Sequence, residues 1–393
     1  MFLTSLRWTI LGAAILPSLS YLFVIFAARS FFRRHNATPR DFTPPVSVLK
    51  PVHGLDADAY ENFASFCRQD YPQYEVLFGV TNEQDAAIPV IRKLIADFPA
   101  LPIRLVVTPE QMGSNDKVNK LWGLARAARH NFLVLSDADI QVGPGHLRSV
   151  AAPFHDARVG AVTSMFTGIP VRSLWPELEA ISLSTDFMPA VLMARQLEGV
   201  RFALGATVAI RRECLAEIGG FEALADEAAD DYELGCRTAA RGHRVELVDG
   251  AVKTWCCLES LHEFFIQRLR WAIMARQSRP LGYVGLIFTQ GLPWTVVGVI
   301  LAPTRLVAGS FVAAYLILRM AVVWTVGIWG LHDDLLKRRW WLVPLWDAFA
   351  FVIWLSSLFW SRVRWRGVVY RVAGGRLIQV VPHPQDSVKV RNG

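Results

Sequence analysis

The stretch VLSDADIQV, residues 134–142, places two acidic residues directly after an apolar run that is typical of a buried β-strand. An isolated carboxylate is costly to bury, so acids at this point need a cationic partner. Side chains two residues apart on an extended chain share a side, and Asp137 and Asp139 can therefore face one ligand. Mg²⁺ typically takes one or two carboxylates and completes its shell with phosphate oxygens. The competing interpretation is a solvated loop at a strand end, because so short a motif recurs by chance.

Apolar runs and amphipathic stretches alternate along the chain on both sides of this strand. This alternation predicts an α/β fold with a mostly parallel sheet covered by helices. Ligands of such sheets bind beyond the carboxyl ends of the strands, where the two acids are found. The predicted strands are VSVLK (46–50), YEVLFGV (74–80), IRLVV (103–107), FLVLS (132–136), VGAVTS (159–164), RFALGATVAIRR (201–212) and HRVELV (243–248), and the predicted helices are 57–69, 86–97, 117–129, 230–241 and 260–277.

Four long apolar segments lie outside this pattern, at 8–28, 281–302, 306–330 and 341–360. Each is long enough to cross the roughly 30 Å hydrocarbon layer as a helix, which predicts an integral membrane protein. The first segment exceeds the apolar region of a usual secretory signal, so we expect an uncleaved anchor. The predicted organisation is an anchor over 1–35, an α/β domain over 36–277, and a domain of about three membrane helices with a basic tail over 278–393.

The formal net charge of +7 is unevenly distributed. Basic residues lie beside the apolar segments, where they suit anionic lipid headgroups, and the middle of the chain is acidic. An acidic domain argues against nucleic acid as a partner. By the positive-inside rule, the arginines that follow the first segment predict a cytoplasmic α/β domain; these are Arg29, Arg33, Arg34 and Arg40.

The topology of the last segment stays open at this point. Two basic clusters flank it, one at 337–339 and one at 362–376. Both can be cytoplasmic only if the segment 341–360 is re-entrant or interfacial.

Three further elements carry side chains suited to chemistry. Asp85 follows the strand 74–80 and is either a ligand or a helix N-cap. Asp230 and Asp231 open a helix, where the helix dipole favours acids, and one of them can serve as a general base toward a hydroxyl. The helix 260–277 carries QRLRW (267–271), whose arginine can bind a diphosphate bidentately. Its single apolar stripe predicts a position in the membrane interface or, alternatively, an ordinary surface helix.

In this order the elements resemble those of the membrane-bound inverting glycosyltransferases of the GT-A fold. The chain is most similar to the ceramide glucosyltransferase family and its bacterial relatives that glycosylate hopanoids. Asp139 matches the bacterial pattern, since the animal enzymes lack this second acid. The matching stretches span nearly the whole chain: VSVLKPVHG, QDYPQYEVLFGV, GSNDKVNKL, SDADI, DDY (230–232), QRLRW and WRGVVYRV.

The resemblance implies a role for each matching residue. Asp231 is the expected catalytic base, supported by Asp230. Asp85 is expected to contact the uridine portion of a UDP-sugar, and Asp137 and Asp139 to engage its diphosphate through Mg²⁺ or Mn²⁺. The other expected donor-binding residues are Lys117, Asn119, Gln267, Arg270 and Trp271.

The expected activity is transfer of a sugar from a UDP-sugar to a hydroxyl of a membrane lipid, by an enzyme of the bacterial inner membrane. Glucose to ceramide is the first choice and N-acetylglucosamine to a hopanoid polyol such as bacteriohopanetetrol the alternative. A processive polysaccharide synthase shares these elements, but three C-terminal spans are few for a polymer channel. A catalytically dead lipid-binding adaptor is the non-enzymatic alternative, and the intact set of acids argues against it.

Two charged residues fall inside predicted membrane spans, Arg319 and Asp347. A charge within the membrane predicts a functional site by default, here acceptor contact. The alternative is that Arg319 extends its side chain to the interface.

Overall fold

The computed structural model describes residues 2–33, 42–365 and 368–379, and Arg34, Arg40 and Arg366 lie outside these ranges. The chain divides into two compact units. The sheet unit comprises Asn36–Ile169, Glu198–Trp255 and Arg364–Gly393, and the helical unit comprises Met1–His35, Pro170–Leu197 and Cys256–Val363. Residues 170–197 and 256–277, which we predicted within the α/β domain, therefore group with the membrane helices.

The sheet unit is built on an eight-stranded sheet with the strand order β3-β2-β1-β4-β7-β6-β8-β5. The pairs β1/β2, β1/β4 and β2/β3 are parallel, which confirms the predicted α/β class. The pairs β4/β7, β6/β7 and β5/β8 are antiparallel, so the sheet is mixed beyond β4. The strands are β1 (Val46–Pro51), β2 (Tyr74–Val80), β3 (Ile103–Val107), β4 (Phe132–Ser136), β5 (Ile140–Gln141), β6 (Val159–Pro170), β7 (Thr207–Arg211) and β8 (Arg244–Cys256).

The central parallel strands are buried on both faces, which explains their nearly continuous apolar sequences. Every residue of β2 is buried. Its one acid, Glu75, accepts hydrogen bonds from Ser47 Oγ at 2.7 Å and from Arg104 Nη2 at 2.7 Å. The carboxylate is therefore paired, as burial of a charge requires.

Helices cover this sheet close to the predicted positions. The best-defined start is that of Asp116–Ala127, where the Asn115 side chain accepts hydrogen bonds from the backbone N–H groups of Lys117 and Val118. Such an N-cap satisfies two donors that the helix leaves open. The helices of the sheet unit are Ala59–Cys67, Ile88–Asp97, Asp116–Ala127, His146–Ala151, Arg212–Glu217 and Asp230–Ala240, with 3₁₀ turns at Ala152–His155 and Glu222–Leu224.

The helical unit contains three helices long and apolar enough to cross a membrane: Leu3–Phe32, Arg305–Gly330 and Asp334–Ser357. The prediction of a membrane protein is therefore confirmed. Its elements are the α-helices Phe2–Ala13, Leu16–Phe32, Leu174–Ser182, Met188–Glu198, Leu261–Ser278, Pro280–Gly285, Gly291–Leu301, Arg305–Val322, Asp334–Arg339 and Val343–Ser357, the π-helices Leu183–Phe187 and Val323–Gly330, and the 3₁₀ turns Leu286–Thr289 and Trp340–Leu342.

A fourth candidate span is broken. The segments Pro280–Thr289 and Gly291–Leu301 meet at an angle of 52°. Pro293 gives the physical reason, because its ring would clash with the Thr289 carbonyl in a continuous helix. The irregular segment is thus 280–301, where we predicted one span over 281–302. Within 341–360, which we considered as a re-entrant or interfacial segment, residues 343–357 form a regular helix.

The helix Leu261–Ser278 buries Phe264, Leu269 and Ile273. Phe264 belongs to a core cluster with Val323 and Trp346 of the same unit. The apolar stripe is therefore covered, at least in part, by protein. Its predicted position in the membrane interface stays a prediction.

A small sheet near the C-terminus joins the sheet unit. It is formed by β9 (Arg362–Trp365), β10 (Val368–Ala373) and β11 (Arg376–Gln379), in the order β11-β10-β9. Gly374 and Gly375 both have positive φ, as a tight two-residue hairpin turn requires. The Gly375 carbonyl accepts a hydrogen bond of 2.9 Å from the backbone N–H of Ala228. This hairpin therefore braces the loop that leads to Asp230 and Asp231.

Candidate active site

Lys117 brings two of the predicted acids together at the carboxyl end of β4. Its Nζ lies 2.8 Å from Asp137 Oδ1 and 3.5 Å from Asp230 Oδ2. Burial alone would lower the pKa of Lys117, but the surrounding Asp137, Asp230 and Asp231 raise it well above its usual value. Lys117 is therefore a permanent positive charge between the SDADI motif and the helix Asp230–Ala240.

Asp231 shares a small space with Asp137, and Gly205 leaves that space open. A Cβ atom at position 205 would lie 2.5 Å from Asp231 Oδ2 and 3.7 Å from Asp137 Oδ2. Burial, reinforced by the charge of Asp230, raises the pKa of Asp231 to about 6. A carboxylate with a pKa close to neutral pH is suited to accept a proton from a hydroxyl group.

Asp139 directly precedes β5 and is held by β8, the strand that pairs with β5. Thr254 Oγ1, on β8, donates a hydrogen bond of 2.6 Å to Asp139 Oδ2. Burial and the neighbouring Asp137 raise the pKa of Asp139 to about 6. The carboxylate is thus oriented by a neutral donor, and its negative charge is not cancelled by that contact.

Lys50 contacts the SDADI motif, and our sequence reasoning did not single it out. It lies at the end of β1, its Nζ donates a hydrogen bond of 2.8 Å to the Asp137 carbonyl, and it lies 3.9 Å from the centre of the Phe66 ring. Burial lowers its pKa to about 7. The signal was available, since VSVLK places a charge at the end of an apolar strand as SDADI does.

The charges of this group suit a divalent cation. Four carboxylates, those of Asp137, Asp139, Asp230 and Asp231, accompany Lys117 and a lysine whose pKa is about 7. Among the described residues, no group of three or more His, Cys, Asp or Glu side chains gathers as a metal centre. Mg²⁺ usually takes one or two carboxylates and completes its shell with water and substrate phosphate, and Asp137 and Asp139 could supply such carboxylates.

Two asparagines shape the loop GSND (113–116). Asn119 Oδ1 accepts hydrogen bonds from the backbone N–H groups of Met112 (3.1 Å) and Gly113 (3.3 Å). Asn115 Nδ2 donates to Asp230 Oδ1 at 3.2 Å. Asn119 is buried and holds the turn, and its expected donor contact stays a prediction. Asn115, which our reasoning missed, is marked in the sequence by its N-cap position.

Asp85 joins the loops that follow β1 and β2. Both of its carboxylate oxygens lie 3.1 Å from the backbone nitrogen of Gly54, and Oδ1 accepts a hydrogen bond of 2.9 Å from the backbone N–H of Ala87. Gly54 has a φ of +67°, a conformation that favours glycine. Asp85 therefore ties two loops together but is not the N-cap of the next helix, which begins at Ile88 and has Ala87 in that position. Its expected contact with uridine stays a prediction.

The QRLRW residues lie in the helical unit, on the helix Leu261–Ser278. Gln267 and Arg270 are about one helical turn apart. Arg270 Nη2 donates a hydrogen bond of 3.2 Å to Gln267 Oε1. The Trp271 ring lies 6.5 Å from the ring of Phe187, and the Arg268 guanidinium lies 4.9 Å from the Trp271 ring. The donor-binding roles of Gln267, Arg270 and Trp271 stay predictions.

The two charges predicted within the membrane form a buried ion pair. Arg319 Nε lies 2.9 Å from Asp347 Oδ2, and Arg319 Nη1 donates a hydrogen bond of 2.6 Å to the Thr185 carbonyl. Tyr315 also donates to Asp347 Oδ2, at 2.8 Å. The alternative that Arg319 extends to the interface is therefore wrong, because its guanidinium is taken up by buried protein groups.

Comparison with known proteins adds an independent line of evidence. A family model described as "Glycosyl transferase family 21" matches residues 10–378. Ceramide glucosyltransferase 1 of Caenorhabditis elegans is 31% identical over 243 residues, 59% of this chain and 52% of the relative. Ceramide glucosyltransferase 3 of the same organism is 25% identical over 264 residues, 67% of this chain and 57% of the relative. The chain thus spans about half the length of the curated relatives it matches.

Among solved structures, the fold is similar to that of the mannosyltransferase PcManGT of Pyrobaculum calidifontis, which was solved in complex with GDP-Man and Mn²⁺. The TM-score is 0.55 at 19% identity, over 89% of this chain and 99% of that one. At this identity the likeness concerns the fold alone, and it confirms the predicted GT-A type.

Proposed function

Because the chain belongs to glycosyl transferase family 21, we propose that it transfers a sugar from a UDP-sugar to a hydroxyl group of a membrane lipid, with inversion at the anomeric carbon. The names of the matched relatives favour glucose as the sugar and ceramide as the acceptor over a hopanoid polyol. A lipid acceptor also agrees with the membrane helices, since each buried CH₂ group costs about 0.8 kcal/mol to withdraw from the bilayer.

The observation that carries the proposal is the half-buried Asp231 carboxylate with its raised pKa, beside Gly205 and Asp137. In the proposed reaction Asp231 accepts the proton of the lipid hydroxyl. The lipid oxygen forms a bond to the anomeric carbon, and the bond from that carbon to the diphosphate oxygen breaks. UDP leaves with the electron pair, so a single displacement inverts the configuration and needs no covalent enzyme intermediate.

Asp137 and Asp139 would hold a divalent cation, Mg²⁺ or Mn²⁺, whose charge stabilises a diphosphate leaving group. Lys117 lies between Asp137 and Asp230 and adds a fixed positive charge on the same side. Such preorganised charges are usually the largest contribution to catalysis of this kind. We assign the donor diphosphate to this part of the sheet unit, with Asp85, Asn119, Gln267, Arg270 and Trp271 as further donor-binding residues.

We also propose that residues 36–277 act as the catalytic domain on the cytoplasmic side of a bacterial inner membrane. Arg29 and Arg33 at the end of the first membrane helix support this orientation by the positive-inside rule.

The test is an incubation of the full chain in detergent with UDP-glucose or UDP-N-acetylglucosamine and with ceramide, diacylglycerol or bacteriohopanetetrol, with and without Mn²⁺. Lipid mass spectrometry identifies the product. Transfer of one glucose to ceramide is the expected result. Long sugar polymers would favour a synthase instead, and lipid binding without transfer of either sugar would favour an adaptor.

The role of Asp231 is tested by Asp231→Asn, which keeps the shape of the side chain and removes the base. We expect turnover to fall by roughly 10² to 10⁴ while UDP binding persists. Asp249→Asn, an exposed acid of the same unit, is the matched control. Turnover of Asp231→Asn within threefold of wild type would contradict the assignment.

A further inference from the structure

The helical unit contains a π-helix that we did not predict from the sequence. It covers Leu183–Phe187 and lies between Leu174–Ser182 and Met188–Glu198. Segments of this kind are rare and frequently occur at functional sites. The segment therefore calls for a reason beyond packing.

Two residues of the π-helix are fixed by neighbouring elements. Ser184 Oγ donates a hydrogen bond of 2.6 Å to Asp333 Oδ2. The Thr185 carbonyl accepts a hydrogen bond of 2.6 Å from Arg319 Nη1. Both Ser184 and Thr185 are fully buried. The backbone that leads into Asp186 is therefore fixed by buried contacts.

Asp186 itself is exposed, in contrast to these neighbours. None of the residues that the structure describes donates a hydrogen bond to its carboxylate or lies within ion-pair distance of it. Arg319 attracts it only at longer range, since the guanidinium already bonds Asp347 and the Thr185 carbonyl. Protein packed around Asp186 nevertheless desolvates its carboxylate and raises its pKa; Arg319 and Arg268 partly offset this effect, and Asp347 adds to it. The carboxylate is thus crowded by protein, reachable by a ligand, and left with its acceptor capacity.

The surroundings of Asp186 argue for the lipid acceptor rather than the sugar donor as its ligand. The adjacent Phe187 ring lies 6.5 Å from the Trp271 ring, so the segment borders QRLRW, the element that we propose binds the donor. A carboxylate repels a diphosphate and accepts hydrogen bonds from neutral hydroxyl and amide groups. The unit also carries the helices long enough to cross a membrane, beside which an acceptor's alkyl chains can lie.

We propose that Asp186 binds the polar headgroup of the lipid acceptor by accepting hydrogen bonds from its hydroxyl or amide N–H groups. The inference rests on the proposed lipid glycosyltransferase function. In this arrangement the buried Arg319–Asp347 pair acts as the support of the π-helix, and Asp186 makes the contact with the acceptor.

The test compares Asp186→Asn and Asp186→Ala with wild type in the full chain, using UDP-glucose and a short-chain ceramide as probes. Loss of a hydrogen bond to a charged acceptor corresponds to a rise of about tenfold or more in the KM for ceramide. We expect the KM for UDP-glucose and the kcat to stay close to wild type, and Asp186→Glu to recover part of the ceramide affinity. Asp334→Asn, an exposed acid of the same unit, is the matched control.

A second measurement does not depend on turnover. Equilibrium binding of a fluorescent ceramide without UDP-glucose should weaken in Asp186→Asn by the same factor as the KM rises. If wild type transfers glucose but this variant keeps ceramide KM and binding within twofold, or loses kcat alone, the inference is wrong. If wild type transfers no sugar to any lipid, the proposed function fails first. The isosteric Asp186→Asn keeps the test valid if Asp186→Ala does not fold.

Discussion

Gly205→Ala should disable the enzyme without unfolding it. The new Cβ would lie 2.5 Å from Asp231 Oδ2, whereas ordinary contacts begin at 3.4 Å, so the carboxylate must shift by about 0.9 Å, the difference between these distances. A short side chain can make this shift by rotation, and the φ of Gly205 is not in the left-handed range. We therefore expect stability to change little. A displacement of about 1 Å in catalytic geometry costs about 10²-fold in rate, and we expect that loss in kcat.

The assay is glucose transfer to short-chain ceramide, with UDP binding by calorimetry and thermal unfolding measured on the same preparations. UDP binding should persist, because Lys117 and the cation ligands stay in place. Gly145→Ala is the matched control, since a Cβ there meets no atom within 4 Å. A Gly205→Ala variant that folds, binds UDP and retains kcat within threefold of wild type would refute the placement of Asp231 as the base.

Three other outcomes follow from the same contacts. The pKa of Asp231 is raised to about 6, so kcat/KM should fall as the pH drops through about 6 and the base becomes protonated. A pH–rate profile that stays level well below pH 6 would count against the role of Asp231 as the base. Arg319→Met should destabilise the protein by about 3 to 5 kcal/mol in denaturation experiments, because it leaves Asp347 buried without its partner, and adding Asp347→Leu should restore most of the loss. Asp137→Ala should weaken the Mn²⁺-dependent part of UDP binding, and an unchanged calorimetric titration with Mn²⁺ would contradict its place at the cation.

The strands and helices around the site were predictable because their signals are local. The apolar runs at 46–50, 74–80, 103–107 and 132–136 all became strands of the sheet. The acids at the end of β4 could be recognised from the sequence, because a charge directly after a buried strand is costly to desolvate and needs a partner. Lys50 carries the same signal, a charge at the end of an apolar strand. Its burial can be expected once β1 is known to be a central strand.

Other features depend on contacts between distant parts of the chain. The antiparallel addition of β7 beside β4 joins residues more than 70 positions apart, and hydrophobic periodicity carries no record of such pairing. The hydrogen bond from Thr254 to Asp139 depends on the pairing of β8 with β5. The position of Gly205 beside Asp231 depends on the pairing of β7 with β4. The bend at 280–301 is different, because its cause is local: the ring of Pro293 opposes the Thr289 carbonyl four residues earlier. We missed it because length and apolar composition alone do not report a break.

The sequence by itself determined the α/β class, the membrane helices and the set of acids, since hydrophobic period, segment length and the cost of burying charge act within a few residues of each position. Only the tertiary structure decided that Lys117 lies between Asp137 and Asp230, that Arg319 pairs with Asp347, and that Asp186 is left accessible on a π-helix. Those outcomes depend on distances between elements far apart in the chain, which are set by how the sheet and the helices pack.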